Sequence, residues 1–409
     1  MKKITVKDWF LFGEWYGLYS FHSCYYDGVI NTTRERLGQG LSQFFVEQEP
    51  GIYRAYISRS EWTDLGKLYL AQILDDPKKL STVLKEVRYS SDDLIKFSRK
   101  LKKASVKNLN KKEALALLMT CHEKLHPVWA VGVVPNVLEL ENSFLSDYLR
   151  SWLSKQNLSK KERLEIFRTL ATPSELSEAQ KEEREILALA AEKNLSKELK
   201  SHHNLYSWLH FGWTGPSLGL DYFKSIHQGL YKEGKAVKNL ANILKKDSKL
   251  VSDKKKFFKD LKVPQDIKIL FALLEDNLFI KAHRMDAIYM CYEACQPLLK
   301  KIASSYNLSL NQIYAQYFDD LIEGINKDHF DVDQINLQSK YSVRYFDGDK
   351  TYDLVGTEAK KIAREIQGTL PKVEAVDKIV GETAFPGKVK GRVSIINLAS
   401  EMEKFYDGD

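Results

Sequence analysis

The chain has 409 residues, 62 Lys and Arg against 55 Asp and Glu for a net charge of +7, and 44% hydrophobic residues. At roughly 150 residues per domain it can hold two or three domains, and its 19 Phe and 21 Tyr exclude a disordered or collagen-like chain. No stretch approaches the roughly 18 uninterrupted apolar residues of a membrane span, the apolar run 9–13 is too short for a signal peptide, and four cysteines are too few for a disulfide framework. A soluble, cytoplasmic protein is therefore expected, with no membrane contact and no nucleic-acid partner, because so small a net charge argues only weakly even for an anionic ligand.

In chain order, the aromatic-dense segment 9–26 (WFLFGEWYGLYSFHSCYY), with Glu14, His22 and Cys24, reads as a core helix. Residues 99–112 and 245–262 are rich in lysine; both read as solvated helix faces and loops, with a phosphate-binding or nucleic-acid patch as the rival. Residues 111–119, 159–170 and 178–193 carry apolar residues at three- and four-residue spacing among strong helix formers. Thr172-Pro173 forbids helix before the last of these, and Ser177 with Gln180 makes a capping box. Residues 267–277, 283–306 and 310–325 continue the pattern, with Pro297 expected to kink the second and Ser309 to cap the third.

The character changes near residue 335. Residues 342–346 and 350–354 are β-prone and flank Asp347-Gly348-Asp349, a hairpin signal. A short helix (358–366) and a linker punctuated by Gly368 and Pro371 follow. Residues 381–409 alternate glycine with β-branched residues and call for a sheet, yet two strands alone make no stable domain. The expectation is a mainly α protein in three parts. These are a helical domain (1–335), a β-hairpin, short helix and linker (336–380), and the first strands of an incomplete β/α domain (381–409).

Several constellations carry chemistry. His122-Glu123-Lys124-Leu125-His126 is a literal H-E-x-x-H, the helix spacing with which zinc peptidases bind metal and activate water. Lys124 places a cation beside such a metal and Pro127 points to a helix end near His126, so a partly exposed helix end is expected and no metal ligand is assigned. Cys291 and Cys295, four apart, read as buried apolar residues. Residues 202–213 (HHNLYSWLHFGW) with Thr214-Gly215-Pro216 gather His, Trp and Tyr at a helix-to-loop boundary where glycines permit close backbone approach. This makes His202, Tyr206, Trp208, His210 and Trp213 a candidate small-molecule site, with a core anchor as the plain alternative. Arg284, in the run His283-Arg284-Met285-Asp286, could add a bidentate contact to a phosphate or carboxylate. No catalytic residue is assigned.

The run 384–396 (AFPGKVKGRVSII), followed by 401–409 (EMEKFYDGD), resembles the opening of the swivelling phosphohistidine domain of PEP-utilising enzymes. That family includes phosphoenolpyruvate synthase, pyruvate phosphate dikinase and rifampicin phosphotransferase. Tyr206-Ser207-Trp208-Leu209, Gly215-Pro216, His283-Arg284-Met285-Asp286 and Asp347-Gly348 with Leu354, Gly356, Glu358 and Ala359 resemble the helical segment that precedes this domain. The family's Thr-x-Gly-Gly-x-Thr-Ser/Cys-His-Ala motif has no match here, so no phosphohistidine is assigned and the chain itself is expected to be inactive. The resemblance implies a phosphotransferase whose mobile histidine delivers a phosphoryl group to a small-molecule acceptor held by the helical domain. It also implies no cofactor bound by this chain, with Mg and ATP or phosphoenolpyruvate serving the complete enzyme. The ATP-grasp glycine-rich loop and paired metal carboxylates are missing, so on this resemblance the nucleotide half is either absent or carried by a separately encoded ATP-grasp nucleotide-binding subunit. A zinc metallopeptidase and a non-enzymatic binding module are the alternatives.

Overall fold

A computed structural model describes residues 4–193, 195–348 and 350–370. They form a mainly helical body with one five-stranded antiparallel sheet. The expected linker beyond residue 370 and the 381–409 segment lie outside the described residues, so the family-like tail receives no structural account. Among the described residues no helix is long and apolar enough to cross a membrane.

The N-terminal segment is not one helix. Trp9–Tyr16 forms strand β1 and Tyr19–Asp27 forms helix α1, separated by Gly17 at φ +88°. A left-handed residue ends a strand without a Cβ penalty, and the aromatic run before it suits a pleated surface. A register shift between Leu11 and Gly13 lets the Trp15 indole fill the space above Gly13, where a Cβ would lie 2.6 Å from the ring. A π turn and α2 (Thr33–Leu37) lead to β2 (Gln43–Glu49) and β3 (Ile52–Ser58), a hairpin closed at Pro50-Gly51.

Helices α3 (Arg59–Asp75), α4 (Lys78–Lys103) and α5 (Lys111–Ala130) follow. The latter runs through Pro127, beyond the helix end expected near His126, because Val128, Trp129 and Ala130 are buried and their packing outweighs the lost hydrogen bond. Next come α6 (Asn136–Glu139), α7 (Phe144–Ser154), α8 (Lys160–Ala171) and α9 (Glu178–Leu189), which opens on the predicted Ser177–Gln180 capping box. Then follow α10 (Ser196–Tyr206), α11 (Leu220–Glu233) and α12 (Ala236–Asp260).

The expected helices 267–277 and 283–306 are one element, α13 (Gln265–Ser305), 41 residues long, because nothing between them breaks a helix. It continues past Pro297 and packs along α4, α5, α7 and α8. Conversely, the expected helix 310–325 is two, α14 (Leu310–Ala315), capped by Ser309 as predicted, and α15 (Phe318–Lys327). The break has a partner: the Ala315 carbonyl accepts from Gln338 Nε2 (2.9 Å) and Gln48 Nε2 (3.2 Å), in place of the helical bond that the Asp319 N–H would make to it.

After α16 (Val332–Lys340), the predicted hairpin forms as β4 (Ser342–Asp347) and β5 (Lys350–Val355), followed by α17 (Gly356–Gln367). The boundary expected at residue 335 does not separate this hairpin from the body. Strand β4 pairs with β2, giving the order β1-β3-β2-β4-β5. Phe44 and Val46 of β2 face the helical core, while Phe45 faces a second core with Trp9, Tyr345, Ile362 and Ile366 under α17. Both faces are therefore covered, and β2 is buried almost throughout.

Within that second layer sits Glu47, 2% exposed, whose carboxylate accepts from the hydroxyls of Tyr56 and Tyr341 and from Gln367 Nε2 at 3.1 Å. It ties α17 and the start of β4 to the N-terminal sheet. Glu47→Ala leaves three donors without an acceptor and should lower stability by about 2–4 kcal/mol. Hydrogen exchange of α17 should rise more than that of α13, which equilibrium unfolding combined with exchange measurement will test.

Candidate functional site

A cavity of about 950 Å³ lies where the sheet meets α13 and the loop 211–217. Two glycines bring that loop in. A Cβ on Gly17 would lie 2.4 Å from Thr214, and Gly215, at φ +82°, packs under the Phe211 ring. Phe211 and Thr214 to Ser217 form one wall, the β2–β3 turn with Tyr53 another, and α13 with Tyr314 of α14 the floor.

The polar centre of the cavity is Glu293, whose side chain is 10% exposed. Its carboxylate accepts from Ser217 Oγ (2.7 Å) and Ser207 Oγ (3.2 Å) and pairs with Lys102 Nζ at 2.8 Å. Lys102 also donates to Ser207 Oγ at 3.0 Å. One helix turn on, Gln296 accepts from the Tyr314 hydroxyl, and Lys300 stands exposed at the rim. Apolar walls with a few convergent polar groups are the pattern of a small-molecule site. The set of one fixed carboxylate, amides, hydroxyls and ammonium groups can orient a polar organic molecule.

The sequence-predicted residues do not converge on this cavity. His202 and Tyr206 face α9, where His202 contacts Glu182 (3.0 Å) and Glu185 (3.1 Å) and the Tyr206 hydroxyl donates to Glu185 (3.1 Å). Trp208 is buried with its indole N–H on the Leu205 carbonyl at 2.8 Å. His210 is exposed beside Tyr222. Trp213 lies parallel to Trp129, 6.1 Å between centroids, and its ring is 5.2 Å from His22. Arg284 is buried over Trp129. The segment 202–213 thus supplies an α9 clamp and an aromatic cluster, and reaches the site through Ser207, which donates to Glu293, and through Phe211 and the loop after it. The residues missed are Lys102, Ser207, Ser217 and Glu293. Glu293 had a signal: it is the only acid in the apolar run 287–299, and a charge on a buried helix face demands partners.

Elsewhere, the two histidines of H-E-x-x-H have separate partners. His122 stacks on Phe318 at 3.7 Å with Nε2 3.2 Å from Cys24 Sγ, whereas His126 Nε2 is 2.8 Å from Asp27 Oδ2. The Cys295 sulfur lies 3.3 Å from Cys121 and 3.8 Å from Cys291, all buried thiols. Among the described residues no group of three or more His, Cys, Asp or Glu is disposed to hold a metal ion. Comparison with protein-family models, curated proteins and solved structures finds no match for this chain.

Burial pushes His22 down to about 3 and His122 to about 4, with His126 adding to the latter effect. Unfolded histidines take up protons near 6.5. Between there and the folded values the unfolded chain binds more protons, so stability falls as pH drops through that window. For His202 burial opposes the charge, but the hydrogen bonds to Glu182 and Glu185 win and raise it. Its contribution is complete below the unfolded value and is lost as pH rises through the folded one. Measured by denaturant titration, His122→Gln should remove about 2 kcal/mol of the wild-type stability lost between pH 7 and 4.5.

Proposed function

We propose that this chain is the acceptor-holding part of a phosphotransferase similar to phosphoenolpyruvate synthase. The cavity beneath loop 211–217 receives a small hydroxyl-bearing acceptor, and a phosphohistidine domain, whose opening the run 384–409 resembles, brings the phosphoryl group to it. Glu293 carries this reading. It is a single carboxylate held in place by Lys102, Ser207 and Ser217 at the wall of this cavity. Such a carboxylate accepts a hydrogen bond from a substrate hydroxyl and orients its oxygen without itself reacting.

The apolar walls exclude water from the acceptor, which protects a phosphoryl group from hydrolysis during transfer. Lys300 at the rim supplies a positive charge for an incoming phosphate. Nucleotide, Mg and the phosphorylated histidine are supplied by the rest of the enzyme.

Calorimetric titration with a panel of small hydroxyl-bearing molecules, sugars and aromatic alcohols among them, tests this reading. At least one compound should bind. Glu293→Gln should weaken it by about tenfold, the size of one charge-assisted hydrogen bond, while His202→Gln should leave binding unchanged. If no compound binds, or if Glu293→Gln binds as the wild type does, the cavity is not the acceptor site.

A further inference from the structure

A second feature of α13 stands apart from the cavity and does not rest on the phosphotransferase reading. Arg284 is 4% exposed, and neither its Nε nor its Nη1 has a hydrogen-bond partner. An unpaired buried charge costs several kcal/mol, so buried guanidinium groups are nearly always matched by an acid. Here none is. Among the described residues no carboxylate lies within ion-pair distance of Arg284 or of Lys281, one helical turn earlier on α13.

Glu139, whose charge acts on Lys281, and Asp286, two residues on from Arg284, each hold other donors. Glu139 accepts from Ser146 through its backbone N–H (2.8 Å) and hydroxyl (2.7 Å). Asp286 faces the backbone N–H of Glu178 at 3.4 Å. The Tyr25 hydroxyl is a neutral neighbour, since burial raises its pKa above the usual phenol range. The guanidinium lies over the Trp129 ring, 5.8 Å from its centroid, and fills the space left by the absent side chain of Gly132, where a Cβ would sit 2.5 Å from Nη1. Burial lowers the pKa of Lys281 and the Arg284 charge lowers it further, while the Glu139 carboxylate works against both. Arg284 is therefore a buried cation with no carboxylate partner, one helical turn from the exposed Lys281.

We infer that Lys281 and Arg284 form a binding site for one small oxyanion, a phosphate or a small carboxylate, with Arg284 as the buried anchor and Lys281 at the exposed entrance. The anion supplies the charge that the protein omits. Arg284 offers fixed N–H donors and Lys281 a flexible point charge.

Thermal unfolding of the intact chain tests the site, with inorganic phosphate and acetate as separate probes and potassium chloride at matched ionic strength as the reference. At least one probe should raise Tm saturably, by about 3–5 °C at a hundredfold excess over its Kd. Which of the two does so distinguishes a phosphate site from a carboxylate site. Arg284→Met should abolish the rise, and Lys281→Gln should weaken the apparent affinity about threefold or more. The inference is overturned if neither probe exceeds chloride, or if Arg284→Met keeps the rise. Should Arg284→Met fail to fold, Lys281→Gln decides: unchanged affinity there rejects the site.

Discussion

Helix α13 imposes the constraint on which the rest of this molecule depends. Between residues 283 and 296 none of its side chains is exposed, so the helix has no face on which to leave a charge in water. Apolar residues there, such as Ile288, Cys291, Tyr292 and Cys295, are simply buried, Tyr292 against Phe21, His22 and Trp213. The charged ones must each find another solution. Glu293 finds it by drawing in Lys102 from the end of α4 and two serines from the segment after α10, and the cavity is the space around that arrangement. Asp286, which burial pushes up to about 6, borrows a backbone N–H from the start of α9. Arg284 has no such partner.

The sheet answers a different constraint. Five antiparallel strands need both faces covered if both faces are apolar. The helical body covers one face and α17 the other, and this is why β2 carries hydrophobic residues in sequence, Phe44-Phe45-Val46, without alternation. The arrangement joins residues more than 290 apart in sequence: Glu47 accepts from Tyr341 and Gln367, and Gln48 from Ser342. The same strand edge sets the cavity wall, since the β2–β3 turn projects from it toward α13 and α14. Support for the tail helix and shape of the site are thus properties of one strand.

Two clusters that looked chemical in the sequence become packing in three dimensions. His202 completes a clamp between α10 and α9, with Tyr206 on the same two acids. Trp213, Trp129 and His22 build an aromatic interior in which His22 stays neutral because burial removes the water that a cation needs. Their residue types are those of a binding site, but the contacts point inward.

What the sequence determined by itself is local. Ser177 with Gln180, Ser309 before α14, and the hairpin around Asp347-Gly348 are set by hydrogen bonds and dihedral preferences within a few residues, and the chain adopts them as read. The mainly helical class follows from apolar spacing, which is also local. Tertiary structure decided whatever depends on residues far apart. It made residues 9–16 a strand, because β3 lies beside them. It carried α5 past Pro127, because Trp129 is buried. It split 310–325, because Gln48 and Gln338 claim the Ala315 carbonyl. The cavity belongs to this second class, since Glu293 becomes a polar anchor only when Lys102, Ser207 and Ser217 arrive from other elements. Spacing along one chain cannot encode that meeting, because the energy that fixes it, the pairing of a charge removed from water, exists only once the pieces have come together.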